Sequence, residues 1–154
     1  MDEVIKILTK KNKTIAVMES CTGGALANSI TDIPGASEVF RFGAITYANE
    51  FKIKMGVDSQ IIAKYSVYSP EVAMDMSKTI ATFADANYGV GITGKLNRVD
   101  RFNPSGDDSQ VFISIYDQNQ EKFYEFSLQV PYSSRKQNKD FIIREITKKL
   151  LTII

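Results

Sequence analysis

Ser20 lies in the run Glu19-Ser20-Cys21-Thr22-Gly23-Gly24, a hydroxyl followed closely by a threonine and two glycines. Where such a turn joins a strand to a helix, backbone N–H groups and the positive helix end can stabilise an oxyanion or hold a phosphate, which suits a nucleophilic serine. The same residues also fit a helix cap at Ser20 or Thr22, with glycines that allow close packing. The chain contains no histidine. Ser-His-Asp and Cys-His catalysis are therefore excluded, and a proton acceptor near neutral pH must be a perturbed lysine, carboxylate or tyrosine. Lys52 fits that role, and equally a solvated charge on a short polar helix. To act as a base it must lose about 3 units from a free value near 10.4, a cost on the order of 4 kcal/mol that burial or a nearby cation has to impose.

Other residues carry weaker signals. Tyr47 reads as a hydrogen-bond donor in a site or as a strand aromatic, and Arg135 as a fixed cation for a phosphate or as an exposed arginine in a first helical turn. Gly89-Val90-Gly91-Ile92-Thr93-Gly94-Lys95 copies the glycine and lysine spacing of a phosphate-binding loop. Leu96 stands where the magnesium-binding serine or threonine belongs, the first glycine falls inside a strand-like run, and residues 97–100 are a poor helix start, so a nucleoside triphosphatase is disfavoured. Ser133-Ser134-Arg135-Lys136 reads as a helix entrance rather than a second Ser/Lys site.

The elements that must position these groups alternate. Val4, Ile5 and Leu8 recur at helical spacing within Asp2 to Lys11, and Thr14 to Val17 reads as a buried strand leading into the Ser20 turn. Ala25, Leu26, Ser29 and Ile30 suggest a helix closed near Asp32-Ile33-Pro34-Gly35, and Phe40 to Tyr47 reads as a second strand that gives way at Asn49 to a helical turn from Glu50 to Met55. Ser69-Pro70-Glu71 is a helix start, with serine as cap and proline at the first helical position, and the helix should run to about Phe83. Tyr88 to Thr93 is the next strand, followed by a long loop from Gly94 to Ser109, a hairpin from Val111 to Tyr116 and Lys122 to Val130, and a last helix from about Arg135 to Ile154. This order predicts a three-layer α/β/α sandwich with a mixed, mostly parallel sheet, and places Ser20, Tyr47 and Thr93 together outside the carboxyl ends of strands, where ligands settle in such sheets.

Composition narrows the possibilities further. With 154 residues, 44% of them hydrophobic, the chain has the size and apolar content of one domain, residues 1–154. Its 19 basic and 18 acidic residues leave a formal net charge of +1. No broad field draws it to nucleic acid or an anionic membrane, so any bound anion must be held locally. The single cysteine, Cys21, forms no internal disulfide, and one cysteine without histidine makes no zinc site. No apolar stretch approaches the ~20 residues that span a bilayer. A soluble cytoplasmic domain is the expectation.

Read together, Ala16 to Gly24, Asp32 to Ser37, Thr46 to Lys52, and Ser69 followed by Glu71-Val72-Ala73 and Met76 resemble the C-terminal domain of the CinA competence-damage family in order and spacing. The Glu-Ser-Cys-Thr-Gly-Gly block combined with Tyr-x-Asn-x-x-Lys is specific, and the resemblance covers nearly the whole chain. Active members of that family are nicotinamide-mononucleotide deamidases using a Ser/Lys pair. The resemblance implies Ser20 as nucleophile, Lys52 as general base and Tyr47 beside them, with N–H groups near Thr22 to Gly24 for the oxyanion. It further implies substrate contacts from Glu19, Thr22, Gly23, Gly24, Ser37, Asn49, Thr93 and Gly94, with Arg135 the candidate for the phosphate. It implies the same sandwich, a homodimer, a small nucleotide substrate, and no metal or organic cofactor. The phosphohydrolase chemistry of the larger N-terminal domain found in many members is not implied.

One stretch departs from the family. After Thr93-Gly94 the family continues close to Ile-Ala-Gly-Pro with further glycines, whereas here Lys95-Leu96-Asn97-Arg98 follows, and Ser66 replaces the glycine usual after Tyr65. Lost glycines remove close backbone approach to a ligand. Either Lys95, Arg98 or Arg101 takes over the phosphate, or the pocket is closed. The sequence therefore supports an amidase with, as its alternative, a catalytically inactive nucleotide-binding or protein-interaction module.

Overall fold

A computed structural model describes residues 1–154. Helix α1 (Asp2–Lys10) buries Val4, Ile5 and Leu8 and places Asp2 and Glu3 in its first turn and Lys10 in its last, where they complement the helix dipole. Strand β1 (Ile15–Glu19) is buried along its whole length. It runs two residues further than its apolar run predicts, so Ser20 is the first residue beyond it. Helix α2 (Ala25–Thr31) and a single 3₁₀ turn (Ala36–Glu38) lead to β2 (Phe40–Ile45), which ends two residues earlier than expected. Helix α3 (Asn49–Lys54) follows, then α4 (Ser59–Tyr65), an element the sequence reading does not contain. Helix α5 (Pro70–Ala84) starts as expected, with the Ser69 side chain accepting from the Val72 N–H and proline in the first turn. Strands β3 (Tyr88–Gly94), β4 (Gln110–Asp117) and β5 (Lys122–Gln129) precede the closing helix α6 (Arg135–Leu151).

The five strands form one sheet in the order β2-β1-β3-β4-β5. Strand β1 is parallel to both β2 and β3, while β4 runs antiparallel to β3 and β5, so β4 alone is reversed in a mixed α/β sheet. Alternation along β1 divides the core. Ile15 and Val17 join residues of α1, α2 and α6 on one face, and Ala16 and Met18 join Val72, Met76 and Ile80 of α5 on the other.

The glycine spacing of the phosphate-loop look-alike has a packing cause. A Cβ at Gly89 would stand 2.0 Å from the Ser77 carbonyl oxygen, and one at Gly91 would stand 2.3 Å from that of Ala73. Only glycine lets α5 lie this close to the middle of β3. Both residues sit inside the strand, so their N–H groups serve the sheet rather than a phosphate.

Candidate active site

The ends of β1 and β2 bring Ser20 and Lys52 together. The Ser20 N–H donates to the Ile92 carbonyl (3.1 Å), extending the β1–β3 ladder by one residue, and the Thr46 N–H donates to the Glu19 carbonyl (2.8 Å), extending the β1–β2 ladder. The chain then turns directly into α3. Lys52, one turn in, points back at the sheet edge and is 1% exposed. Its Nζ donates to Ser20 Oγ at 3.1 Å and to the Thr46 carbonyl at 2.6 Å. No carboxylate lies within ion-pair distance of it.

Burial therefore governs the amine and lowers its pKa from 10.5 to about 8, because the charged form loses its hydration without gaining a counter-charge. Burial pushes the Cys21 thiol up to about 12, which leaves it uncharged where Lys52 titrates. The charge that pulls Lys52 back toward the ammonium is thus Asp100. When the amine is neutral, the same 3.1 Å contact lets the Ser20 hydroxyl donate to its lone pair.

The turn after Ser20 is held from behind by Glu19. This fully buried carboxylate accepts from the N–H groups of Gly24 (3.1 Å), Leu26 (3.1 Å) and Ala27 (2.8 Å), satisfying the start of α2. The Gly23 N–H donates to the Ser20 carbonyl and the Ala25 N–H to that of Thr22. Gly23 and Gly24 have φ of 59° and 93°, the left-handed region that favours glycine. Glu19, Gly23 and Gly24, expected as substrate contacts, are instead engaged with the backbone of the turn. The N–H groups that lack a protein acceptor are those of Cys21 and Thr22. Of the two, Cys21 lines the cavity and Thr22 is fully buried. The buried Thr22 Oγ1 also has no partner.

Other expected site residues are distributed unevenly. Tyr47, Asn49, Gly94 and Arg135 line the same cavity as Ser20 and Lys52, a space of about 780 Å³. Arg135 Nη2 donates to Tyr47 Oη at 3.5 Å across its rim. Thr93 is fully buried, and its hydroxyl donates to the Val67 carbonyl at 2.9 Å, so it ties β3 to the segment before α5. Ser37 precedes β2, and the register pairing Phe40 with Ile15 and Ile45 with Glu19 puts it at the opposite end of the sheet from Ser20. Within this chain Ser37 does not reach the cavity.

The segment that departs from the family builds one wall and leaves the cavity open. Buried Lys95 donates to Asp108 Oδ1 (2.9 Å) and to the carbonyls of Ser105 (2.9 Å) and Pro104 (3.4 Å), three acceptors for three ammonium protons. It pins the loop and is not free to hold a phosphate. Arg98 and Arg101 line the cavity without an ion-pair partner. Asp100 accepts from Tyr68 Oη (2.5 Å), Asn103 Nδ2 (2.9 Å) and the Phe102 N–H (2.9 Å). These donors hold its carboxyl at about 2, Tyr68 first among them, while burial and the same carboxylate raise Tyr68. Asn49 Nδ2 donates to Asn103 Oδ1 at 3.2 Å, latching the loop onto α3 one turn before Lys52. Sequence reasoning missed Tyr68 and the orientation of Asp100, because both depend on contacts between distant segments. The length of the loop and its density of Asp, Asn and Arg were the available signal. No three Cys, Asp or Glu side chains gather as a metal-ligand set.

Fold and site together define a sheet flanked by helices with a lysine-paired serine at the carboxyl edge of its parallel strands. The family described as the CinA C-terminal domain matches residues 1–152. This chain belongs to that family. A CinA-like protein of Desulfovibrio desulfuricans is 49% identical over 92 residues, covering 59% of this chain and 22% of that protein, so the match spans about a fifth of the relative's length. Two solved structures share the fold. The competence/damage inducible protein CihA of Agrobacterium tumefaciens superimposes with a TM-score of 0.87 at 24% identity, over 97% of this chain and 90% of that one. A competence-damaged protein (CinA) superfamily protein of Escherichia coli gives 0.87 at 21% identity, over 99% and 87%.

Proposed function

We propose that residues 1–154 form one amidohydrolase domain acting on the carboxamide of a pyridine nucleotide, nicotinamide mononucleotide, by a Ser/Lys mechanism. The observation that carries this reading is the 3.1 Å contact between Ser20 Oγ and the buried Lys52 Nζ, which lacks a carboxylate partner and has a pKa lowered to about 8. Neutral Lys52 takes the Ser20 proton as Oγ attacks the carboxamide carbon. The Cys21 N–H, which has no protein acceptor and whose residue lines the cavity, stabilises the oxyanion. Lys52 then returns the proton to the leaving nitrogen, ammonia departs, and Ser20 is left acylated. Water attacks the ester with Lys52 again as base, releasing nicotinate mononucleotide. Arg135 supplies a cation for the phosphate, with Arg98 and Arg101 of the loop as further lining cations.

The test is ammonia release from nicotinamide mononucleotide. Wild type should turn over and Ser20→Ala should fall at least a thousandfold, whereas undiminished turnover by Ser20→Ala removes the serine mechanism. Binding without turnover by wild type selects the alternative, an inactive nucleotide-binding or protein-interaction module. That alternative draws on the altered loop; the cavity of about 780 Å³ beside Ser20 speaks against a closed pocket and is compatible with binding in either reading. No helix is long and apolar enough to cross a membrane, and a lone buried cysteine suits the reducing cytoplasm we assign to the protein. The homodimer implied by the family would use edge strand β2 and α3, which expose Phe42, Ile45 and Phe51. Light scattering reads its mass.

A further inference from the structure

The charges around the cavity are unequal. Arg98, Arg101 and Arg135 line it as cations without ion-pair partners, while Lys95 is neutralised by Asp108. Asp100 is the only carboxylate among the lining residues, and it has no ion-pair partner. Its orientation is fixed. Oδ2 accepts from Tyr68 and Asn103 Nδ2 and Oδ1 from the Phe102 N–H, with the Asn103 N–H also turned to the carboxylate, so the group is held from the loop and from Tyr68.

A carboxylate at this place works against the base. It favours the ammonium form of Lys52, whereas proton removal from Ser20 needs the neutral amine. For a ligand that offered only a phosphate and a neutral ring, an asparagine here would serve better, keeping an acceptor for Tyr68 without the negative charge. A carboxylate is favourable when the ligand itself brings a positive charge to the same wall. Flat side chains line the same cavity. Phe102 is 93% exposed and Tyr47 64%, so both rings are free to stack on a planar cation.

From this we infer that Asp100 is a specificity-determining residue, selecting ligands whose carboxamide-bearing ring is a cation and whose anionic group reaches the arginines. The inference rests on the amidase reading for the identity of that ring, an N-substituted pyridinium. It assigns recognition of the ring charge to a loop residue outside every motif that links this chain to its family.

The test uses a matched pair of ligands: nicotinamide mononucleotide and its reduced dihydropyridine form, in which the ring is neutral while carboxamide, ribose and phosphate are unchanged. Calorimetric titrations are made on the 154-residue chain carrying Ser20→Ala, chosen to prevent turnover, and on Ser20→Ala carrying Asp100→Asn. The first protein should bind the cationic form about tenfold more tightly than the reduced form, and Asp100→Asn should bring the ratio to about one, with the affinity for the reduced form unchanged. A ratio near one in the first protein overturns the inference without any need for the second variant. So does an unchanged ratio in Asp100→Asn, an equal loss of both affinities there, or failure of the cationic form to bind. The amidase reading is scored separately by ammonia release from wild type. A charge preference that depends on Asp100 without turnover leaves the inference standing and removes the amidase. Turnover without a charge preference does the reverse.

Discussion

Two lysines in this molecule are buried to the same degree and do opposite things. Lys52 is 1% exposed and Lys95 3%, and both face the same cavity. Lys95 meets a carboxylate and two carbonyls, which satisfy all its protons, and it acts as a charged staple for the 95–109 loop. Lys52 meets a hydroxyl and one carbonyl, and no carboxylate, so burial is unopposed at contact distance and its proton becomes easy to lose. Burial alone therefore does not make a lysine a base. The partner set decides, and in this chain it separates the floor of the site from its wall.

The largest effect should come from breaking the floor. Lys52→Met is expected to reduce amide turnover by at least a thousandfold while raising stability at pH 7. The sign follows from linkage. Unfolded, Lys52 titrates at 10.5; folded, at about 8, so between these values the unfolded chain holds the extra proton and stability rises with pH. Below pH 8 the penalty for a buried ammonium is fully present, and methionine removes it. After allowance for the lost hydrogen bonds the gain should be on the order of 2 kcal/mol, together with loss of the stability rise between pH 8 and 10.5, read by urea unfolding across pH.

Breaking the wall should do less, and in the other direction. Lys95→Met leaves Asp108 and two carbonyls without their donor; because the Asp108 side chain is 40% exposed, water repairs part of the loss, and destabilisation should be about 1–2 kcal/mol. Amide exchange should speed up across residues 95–109 and not around Ser20. Smallest is Ser66→Gly. Ser66 holds φ 71° and ψ 154°, a region nearly exclusive to glycine, next to Ser105 of the loop. Restoring glycine should stabilise by about 1 kcal/mol, visible as a rise in Tm with turnover unchanged.

What could be read in the sequence was local. The strand-to-helix turn at Ser20 and the capped start of α5 at Ser69 are written in adjacent residues. The short distance from β2 to α3 brought Lys52 to the same edge. What stayed hidden depended on other segments. Gly89 and Gly91 look like a phosphate loop until the backbone of α5 is seen against them. Glu19 reads as a ligand contact until its carboxylate is found under the N–H groups of α2. Helix α4 has no fully buried residue and is only seven residues long, so Ile61, Ile62 and Tyr65 offer too short a period to mark it. Ser37 matches a family motif, yet in one chain it lies at the far end of β2 from Ser20. The wall of the cavity was the least legible part, because Asp100 takes its direction from Tyr68, far back in the chain.

The contrast between the two lysines is tested most directly by titrating Lys52 itself. With the lysine side chains carbon-13 labelled at Cε and the Lys52 signal assigned by its absence in Lys52→Met, the resonance should titrate near pH 8. A midpoint at 10.5 would show an ordinary hydrated ammonium, and the Ser20–Lys52 pair would then have no base.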